Sequence, residues 1–364
     1  MVLSANTAWN LAHFRRPIIE RLRSEGWEVH CVAPPDDSVP ELEAMGCQYH
    51  PMNMPSHGLN PLADLSLLYR LRALLRAISP TVYLSYTIKP NIYGALACRS
   101  LGVASIPNVS GLGTAFLAGG WLSRVIQALY AYSFGRCTRV CFQNADDEAL
   151  FLQRKLVMAS QALRLGGSGI DLSHFQPTAL PREMPVRFLF IGRLLADKGL
   201  MEFASAAQIV RQIRPEVQFD VLGGEGGGNP SAVTSDTLQA WERSGLLNLL
   251  GTTKDVRPFI ARAHCVVLPS YREGAPRALI EAAAMARPLI ATDVPGCRDV
   301  VIEGENGYLC EPRSGDSLAK AMLRMLDQNG PALERMGRSS RRLAETRFDQ
   351  ARVIDRVMDA VRNA

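Results

Sequence analysis

The chain has 364 residues, 47% of them hydrophobic and 21% charged, which is room for two ordinary domains and the composition of a folded protein rather than a disordered one. Its longest apolar runs, such as ALIEAAAMA, fall far short of the roughly 20 residues needed to cross a bilayer, and no basic-then-apolar leader opens it, so the expected location is the cytoplasm. The net charge of +5 is too small for a nucleic-acid partner; with 15 Lys and Arg against 11 Asp and Glu up to Ile170, and 25 against 24 beyond, the excess sits in the first half, where it suits a surface that meets anionic lipid or phosphate.

In chain order, MVLSA reads as a strand, FRRPIIERLRSEG as a helix, WEVHCVAPP as a strand and ELEAMG as a helix. After the loop PMNMPSHGLNP a longer helix is predicted from Leu62 to Ile78, leading into the strand TVYLSY. Next come the run ASIPNVS, a helix near WLSRVIQALYAYSFGR, the strand TRVCFQN and a helix starting at Asp146. Strands separated by helices imply parallel pairing and a doubly wound sheet. The pattern restarts after LGGSGIDLSHFQP, a Gly-rich, Pro-ended linker: PVRFLFIGR, VQFDVLGG, LLNLLGT and CVVLPS read as strands, with a helix at LMEFASAAQIVRQI. The expected plan is two doubly wound, Rossmann-like α/β domains, 1–165 and 166–346, with a cleft between them and a final helix, 347–364, returning to the first. The eight cysteines show no metal-ligand spacing and sit among apolar neighbours, as reduced core thiols do.

Chemistry concentrates in the second half. In EGAPRALIE, Glu273 precedes a helix start and Glu281 lies about five residues inside it; Pro276 suits the first helical position and Pro288 is expected to stop the helix. A strand–loop–helix unit of this kind puts free N–H groups and a positive dipole end at the carboxyl edge of a parallel sheet, where phosphates bind. Upstream, GRLLADKG follows another strand: Gly192 lets backbone approach a ligand, while Arg193 and Lys198 place two cations in one loop, as a diphosphate requires. Glu281 is then placed to accept both hydroxyls of a ribose, and Glu273 those of a sugar on the second phosphate. Taken singly, each of these residues also reads as a solvated surface group.

The set GRLLADKG, GTTKDV, LPSYREGAPRALIEAAAMARPLIATDVPGCRDVV and ENGYLCEP resembles the family 4 glycosyltransferases, retaining enzymes of the GT-B architecture that use nucleotide sugars. In the first half, ANTAWNLAHFRRPII, SYTIKPNIYGALA, NVSGLG and CFQNADDEALF are similar to the branch that extends glycans on undecaprenyl diphosphate. The resemblance implies a UDP-sugar as co-substrate, with no metal or other cofactor, and a lipid-linked glycan as acceptor. It makes Arg193 and Lys198 the diphosphate clamp, Glu281 the ribose ligand and Glu273 the donor-sugar ligand, with the backbone of Gly274 and Ala275 near the distal phosphate. Thr252 and Asp255 in GTTKDV border the base on that reading and form a turn and helix cap on the plainer one. Asn10 and His13, in the loop after the first strand, and Gly111 and Gly113 are expected on the acceptor side. Many family members carry a histidine shortly before the lysine of the KP pair; here the residues are Tyr86, Thr87, Ile88 and Lys89, so a mechanism leaning on that particular histidine is not implied for this chain. Lys89 either contacts the acceptor diphosphate or caps the helix at Pro90.

No Asp-x-Asp metal signature follows a strand, and Asp146, Asp147 and Glu148 behind Asn144 read as helix-start acids. The helices LSLLYRLRALLRAIS and WLSRVIQALYAYSFGR carry Arg70, Arg72, Arg76 and Arg124 beside apolar faces, with Arg136 just beyond, which suits peripheral attachment to the inner face of a membrane and equally suits packing on a sheet. The expected function is retaining hexosyl transfer; a nucleotide-sugar epimerase of the same plan and a non-catalytic binding subunit are the alternatives.

Overall fold

The computed structural model describes residues 1–54, 60–112, 116, 120–182 and 185–364. Contacts divide the chain into two units, Met1–Gly169 with Ala351–Ala364, and Ile170–Gln350.

The first unit carries seven parallel strands: β1 (Val2–Ser4), β2 (His30–Ala33), β3 (Gln48–Pro51), β4 (Val82–Tyr86), β5 (Ala104–Val109), β6 (Val140–Phe142) and β7 (Ala162–Arg164), ordered β3-β2-β1-β4-β5-β6-β7. The central strands β1, β2 and β4 are buried along their whole length, which is why they read as continuous apolar runs. The edge strands β3 and β7 were not evident in the sequence: QYHP and ALR are short, half-exposed and without alternation. Asn10–Phe14, expected as loop, coils into a π-helical turn running into the helix Arg16–Ser24, and Pro17 sits in that helix's first turn where a missing N–H is harmless. The helix behind Asn144 is Ala145–Gln153, and the Asn144 side chain accepts the Asp147 N–H at 2.7 Å, the N-cap its sequence implies.

The second unit carries six parallel strands, β8 (Arg187–Ile191), β9 (Gln218–Leu222), β10 (Asn248–Leu249), β11 (Cys265–Leu268), β12 (Leu289–Thr292) and β13 (Gly307–Cys310), ordered β10-β9-β8-β11-β12-β13. Of the expected strand LLNLLGT only two residues pair, because β10 is a sheet edge with a single neighbour. Phe188, Phe190, Phe203 and Phe219 stack between sheet and helix at the centre of this unit's core. Beneath it lies Arg287, fully buried, whose guanidinium donates to the carbonyls of Ile260 and Ala261 at one helix end, of Met285 at another, and of Thr178 and Ala179. Two helix C-termini thus supply the negative dipole ends that a buried cation needs in place of a carboxylate. Burial pulls its pKa down to about 10, so it stays charged near neutrality.

The chain leaves the first unit and returns to it at one place. The Ile170 N–H bonds to the Phe348 carbonyl at 2.7 Å and the Gln350 N–H to the Ile170 carbonyl at 3.0 Å. The last helix then places Val353, Val357 and Val361 on one face, in the cluster that also holds Leu3, Ile19 and Leu22. All eight cysteines are buried thiols. Among the described residues no helix is long and apolar enough to cross a membrane.

Candidate active site

In the second unit's sheet the connection after β8 leads toward β9 on one side and that after β11 toward β12 on the other. The loops beyond these two neighbouring strands therefore part, and the crevice at such a reversal is where doubly wound sheets bind ligands. The backbone joins the two loops: the Tyr271 N–H donates to the Asp197 carbonyl at 3.0 Å. Side chains join them more tightly. Lys198 Nζ lies 2.5 Å from Glu273 Oε1, which also accepts the Ser270 hydroxyl at 2.7 Å. Both ends of the ion pair are largely buried, so water screens it little.

The loop carrying Glu273 is held from behind. The Thr292 hydroxyl donates to the carbonyl of the fully buried Ser270, and the Glu273 N–H donates to the Pro295 carbonyl at 3.2 Å. Gly296 has φ +80°, and a Cβ there would lie 2.7 Å from the carbonyl oxygens of both Glu273 and Gly274, so the backbone packs where only glycine fits. Ser270 stands three residues before Glu273 in CVVLPSYRE and was readable as a hydroxyl near the acid; nothing local in LIAT marks Thr292.

Glu281 is the fifth residue of the helix Arg277–Ala284. Pro276, expected at the first helical position, is instead the N-cap with extended backbone (ψ 94°), and the helix closes at Ala284, before Pro288, with Ala286 turning to φ +59°. Glu281 is 7% exposed; burial raises its pKa, and the Arg277 guanidinium, bonded to Glu281 Oε1 at 2.7 Å, opposes that rise.

The other predicted residues fall in different settings. Arg193 is exposed, and its side chain has no bond partner among the described residues. Gly192 and Gly223 touch backbone to backbone at the ends of β8 and β9, its N–H donating to the Leu222 carbonyl at 3.0 Å. Gly274 and Ala275 are half-buried directly before the helix start. Thr252 is exposed over Gly224. Asp255 is clasped by Arg257 at 2.8 and 2.9 Å, which pulls its carboxyl pKa down.

In the first unit, His13 Nδ1 donates to the Trp9 carbonyl (3.1 Å) and the ring stacks on that of Trp9, with Glu41 3.9 Å from its other nitrogen. Asn10 Oδ1 is buried without a partner among the described residues. Lys89 neither caps with its side chain nor projects freely: its Nζ bonds Asp64 at 2.8 Å, both ends largely buried, an acid on the helix Pro61–Ile78 that sequence reading did not single out. Gly111 lines a cavity of about 260 Å³ with Thr87, Asn91 and Ser110. Thr87 holds φ +70°, unusual for a β-branched residue. Gly113 lies outside the described residues. Among the described residues no three His, Cys, Asp or Glu converge as a metal site would require.

Two glycosyltransferase family models match: Glycosyl transferase 4-like over residues 2–144 and Glycosyl transferases group 1 over residues 185–328. The chain belongs to these glycosyltransferases, enzymes of the GT-B, family 4 kind. Within that family it is 26% identical over 338 residues to the N,N'-diacetylbacillosaminyl-diphospho-undecaprenol alpha-1,3-N-acetylgalactosaminyltransferase of Campylobacter jejuni, a match spanning 87% of each chain. It is 24% identical over 312 residues to the UDP-Gal:alpha-D-GlcNAc-diphosphoundecaprenol alpha-1,3-galactosyltransferase of Escherichia coli, across 82% of this chain and 79% of that one. In fold it matches the crystal structure of Anabaena HepE in complex with UDP, with a TM-score of 0.80 at 16% identity over all of both chains.

Replacing Gly296 by Ala is expected to push the Glu273–Gly274 backbone aside while leaving the sheet intact. A displacement near 1 Å at a reacting group is worth about 10²-fold in rate. Glycosyl transfer should fall by about that factor with the circular dichroism spectrum retained, and unchanged transfer would show that the loop does not position the reaction.

Proposed function

We propose that this enzyme moves a hexose or N-acetylhexosamine from a UDP-sugar, with retention at the anomeric carbon, to a sugar on an undecaprenyl-diphosphate-linked acceptor in surface polysaccharide or glycoprotein glycan synthesis. The observation that carries this reading is the buried Lys198–Glu273 pair at the β8/β11 reversal with Glu281 one helical turn beyond. The relatives named above, one acting from UDP-Gal and both on diphosphoundecaprenol-linked sugars, support the choice of donor and acceptor.

In this mechanism a bound diphosphate takes Lys198 from Glu273, and hydroxyls of the donor sugar replace the ammonium at the carboxylate. Lys198, Arg193 and the free N–H groups opening the helix Arg277–Ala284 then neutralise charge as it grows on the leaving diphosphate. Glu273 is bonded to both Lys198 and Ser270, an arrangement that suits a hydroxyl acceptor better than a nucleophile. The acceptor hydroxyl attacks from the face the diphosphate leaves. Its oxygen forms the new C–O bond as the old one breaks, its proton passes to the departing phosphate oxygen, and configuration is kept. Neutralisation by these cations and amides leaves the reaction without need of a metal.

We place the enzyme peripherally at the cytoplasmic face of the membrane. The helix Pro61–Ile78 exposes Leu62, Leu65 and Tyr69, and the helix Gly120–Phe134 exposes Trp121, Val125 and Tyr132. Both dock on the helix Ala95–Leu101, through Arg72 to the Ser100 hydroxyl and Arg99 to the Tyr132 carbonyl, so the exposed apolar side chains and the arginines stand on neighbouring helices. Aromatic side chains at headgroup depth and arginines facing anionic phosphates would together hold such a face on lipid.

Lys198→Ala and Glu273→Ala should each lower sugar transfer at least about 10³-fold in a lipid-linked acceptor assay, with the circular dichroism spectrum retained and the melting point lowered by the partner charge left unpaired; near-normal turnover in both would refute the assignment. Transfer should persist in excess EDTA, and its loss, restored by one divalent ion, would overturn the metal-free scheme. Sedimentation with vesicles containing phosphatidylglycerol should fall for Trp121→Ala with Leu62→Ala, whereas equal sedimentation of variant and wild type would remove this face from membrane attachment.

A further inference from the structure

Arg277 and Glu281 form an i,i+4 pair on the helix that opens at the donor site, and the pair runs the wrong way for helix stability. The base stands in the first turn and the acid deeper in, whereas a helix favours acids near its N-terminus and the acid-before-base order at this spacing. Glu281 is also buried, a placement that disfavours its charge. Two local rules are thus broken at one point, at the mouth of the crevice beyond β8 and β11, which marks the pair as functional rather than structural.

The bond is one-sided. Arg277 Nε donates to Glu281 Oε1 at 2.7 Å, while Oε2 has no bond partner among the described residues. We propose that Arg277 is a positioning residue for the nucleotide, fixing Oε1 of Glu281 so that Oε2 presents itself to the vicinal hydroxyls of a ribose; this rests on the reading of Glu281 as the ribose ligand. Arg277 is the charged group facing Glu281 from its own helix, and His174, in the segment after Ile170, is the other positive neighbour, its carbonyl held by Arg257. Burial raises the Glu281 pKa and Arg277 lowers it, so removing the guanidinium lets the carboxylate take up a proton at a higher pH. A protonated Glu281 accepts hydroxyls poorly. Nucleotide affinity is therefore lost as pH falls through that pKa, and sooner without Arg277.

The test uses the whole enzyme, with UDP and 2′,3′-dideoxy-UDP as probes, titrated calorimetrically between about pH 5 and about pH 8 with wild type, Arg277→Gln, Arg277→Lys and Glu281→Gln. Arg277→Gln is expected to weaken UDP about tenfold near neutrality, the scale of one hydrogen bond to a charged group. Its acid limb should shift to higher pH, dideoxy-UDP should bind it as it binds wild type, and Arg277→Lys should recover most of the UDP affinity. Equal loss for both nucleotides, or an acid limb that does not move while Glu281→Gln weakens UDP, overturns the role of Arg277 alone. UDP binding by Glu281→Gln at wild-type strength removes the ribose reading itself, and the inference with it. Arg277→Lys, the milder change, keeps the comparison open should the glutamine variant melt early.

Discussion

The reversal of strand order between β8 and β11 is the constraint on which the rest of the second unit depends. A parallel sheet carries the chain always to the same edge, so every loop that follows a strand emerges on one side. Where two adjacent strands hand the chain on in opposite directions, their loops cannot cover each other, and polar side chains can stand in the gap without being buried by a crossover. GRLLADKG and PSYREGAP occupy that gap because of where their strands lie in the order. The Tyr271–Asp197 backbone bond and the Lys198–Glu273 ion pair then hold the two loops together.

On the proposed mechanism, opposite charges in this site are arranged to be exchanged. A buried ammonium and carboxylate at 2.5 Å satisfy each other, which keeps the crevice from holding two isolated charges of high desolvation cost. A ligand carrying both phosphate and hydroxyls offers each of them a substitute partner. Arg277 and Glu281 repeat the arrangement within the first five residues of the helix that follows. Behind the acids, Thr292, Ser270 and the close backbone of Gly296 fix the loop. The precision of the carboxylate thus comes from groups that never reach the crevice surface.

The first unit repeats the order β3-β2-β1-β4 with its own reversal between β1 and β4. Its site-like features follow these strands: the π-helical turn with Asn10 and His13 after β1, and the left-handed Thr87 and the Lys89–Asp64 pair after β4. Lys89 shows how tertiary packing redirects a charge. Its sequence neighbour Pro90 suggests a cap, yet an acid 25 residues earlier on the helix Pro61–Ile78 takes the ammonium into a largely buried bridge.

Much of this protein was legible in the order of its residues. Buried parallel strands are apolar throughout, so PVRFLFI and CVVLP announce themselves, and Arg193, Lys198, Glu273 and Glu281 could be singled out from the strand–loop–helix order around them. Asn144 advertises its cap because the bond is local. The edge strands β3 and β7 were hidden, since three or four half-exposed residues carry no periodicity, and the expected strand LLNLLGT shortened to the two residues of β10. Tertiary structure alone decided which charges meet. Lys198 finds Glu273 across 75 residues and Lys89 finds Asp64 across 25; Asp255 turns instead to its neighbour Arg257, and Thr292 reaches Ser270 from the adjacent strand. The physical reason is one of range. Periodicity, capping and turn chemistry act within a few residues, whereas the partner of a buried charge is set by which strands lie side by side, and that order is a property of the whole sheet.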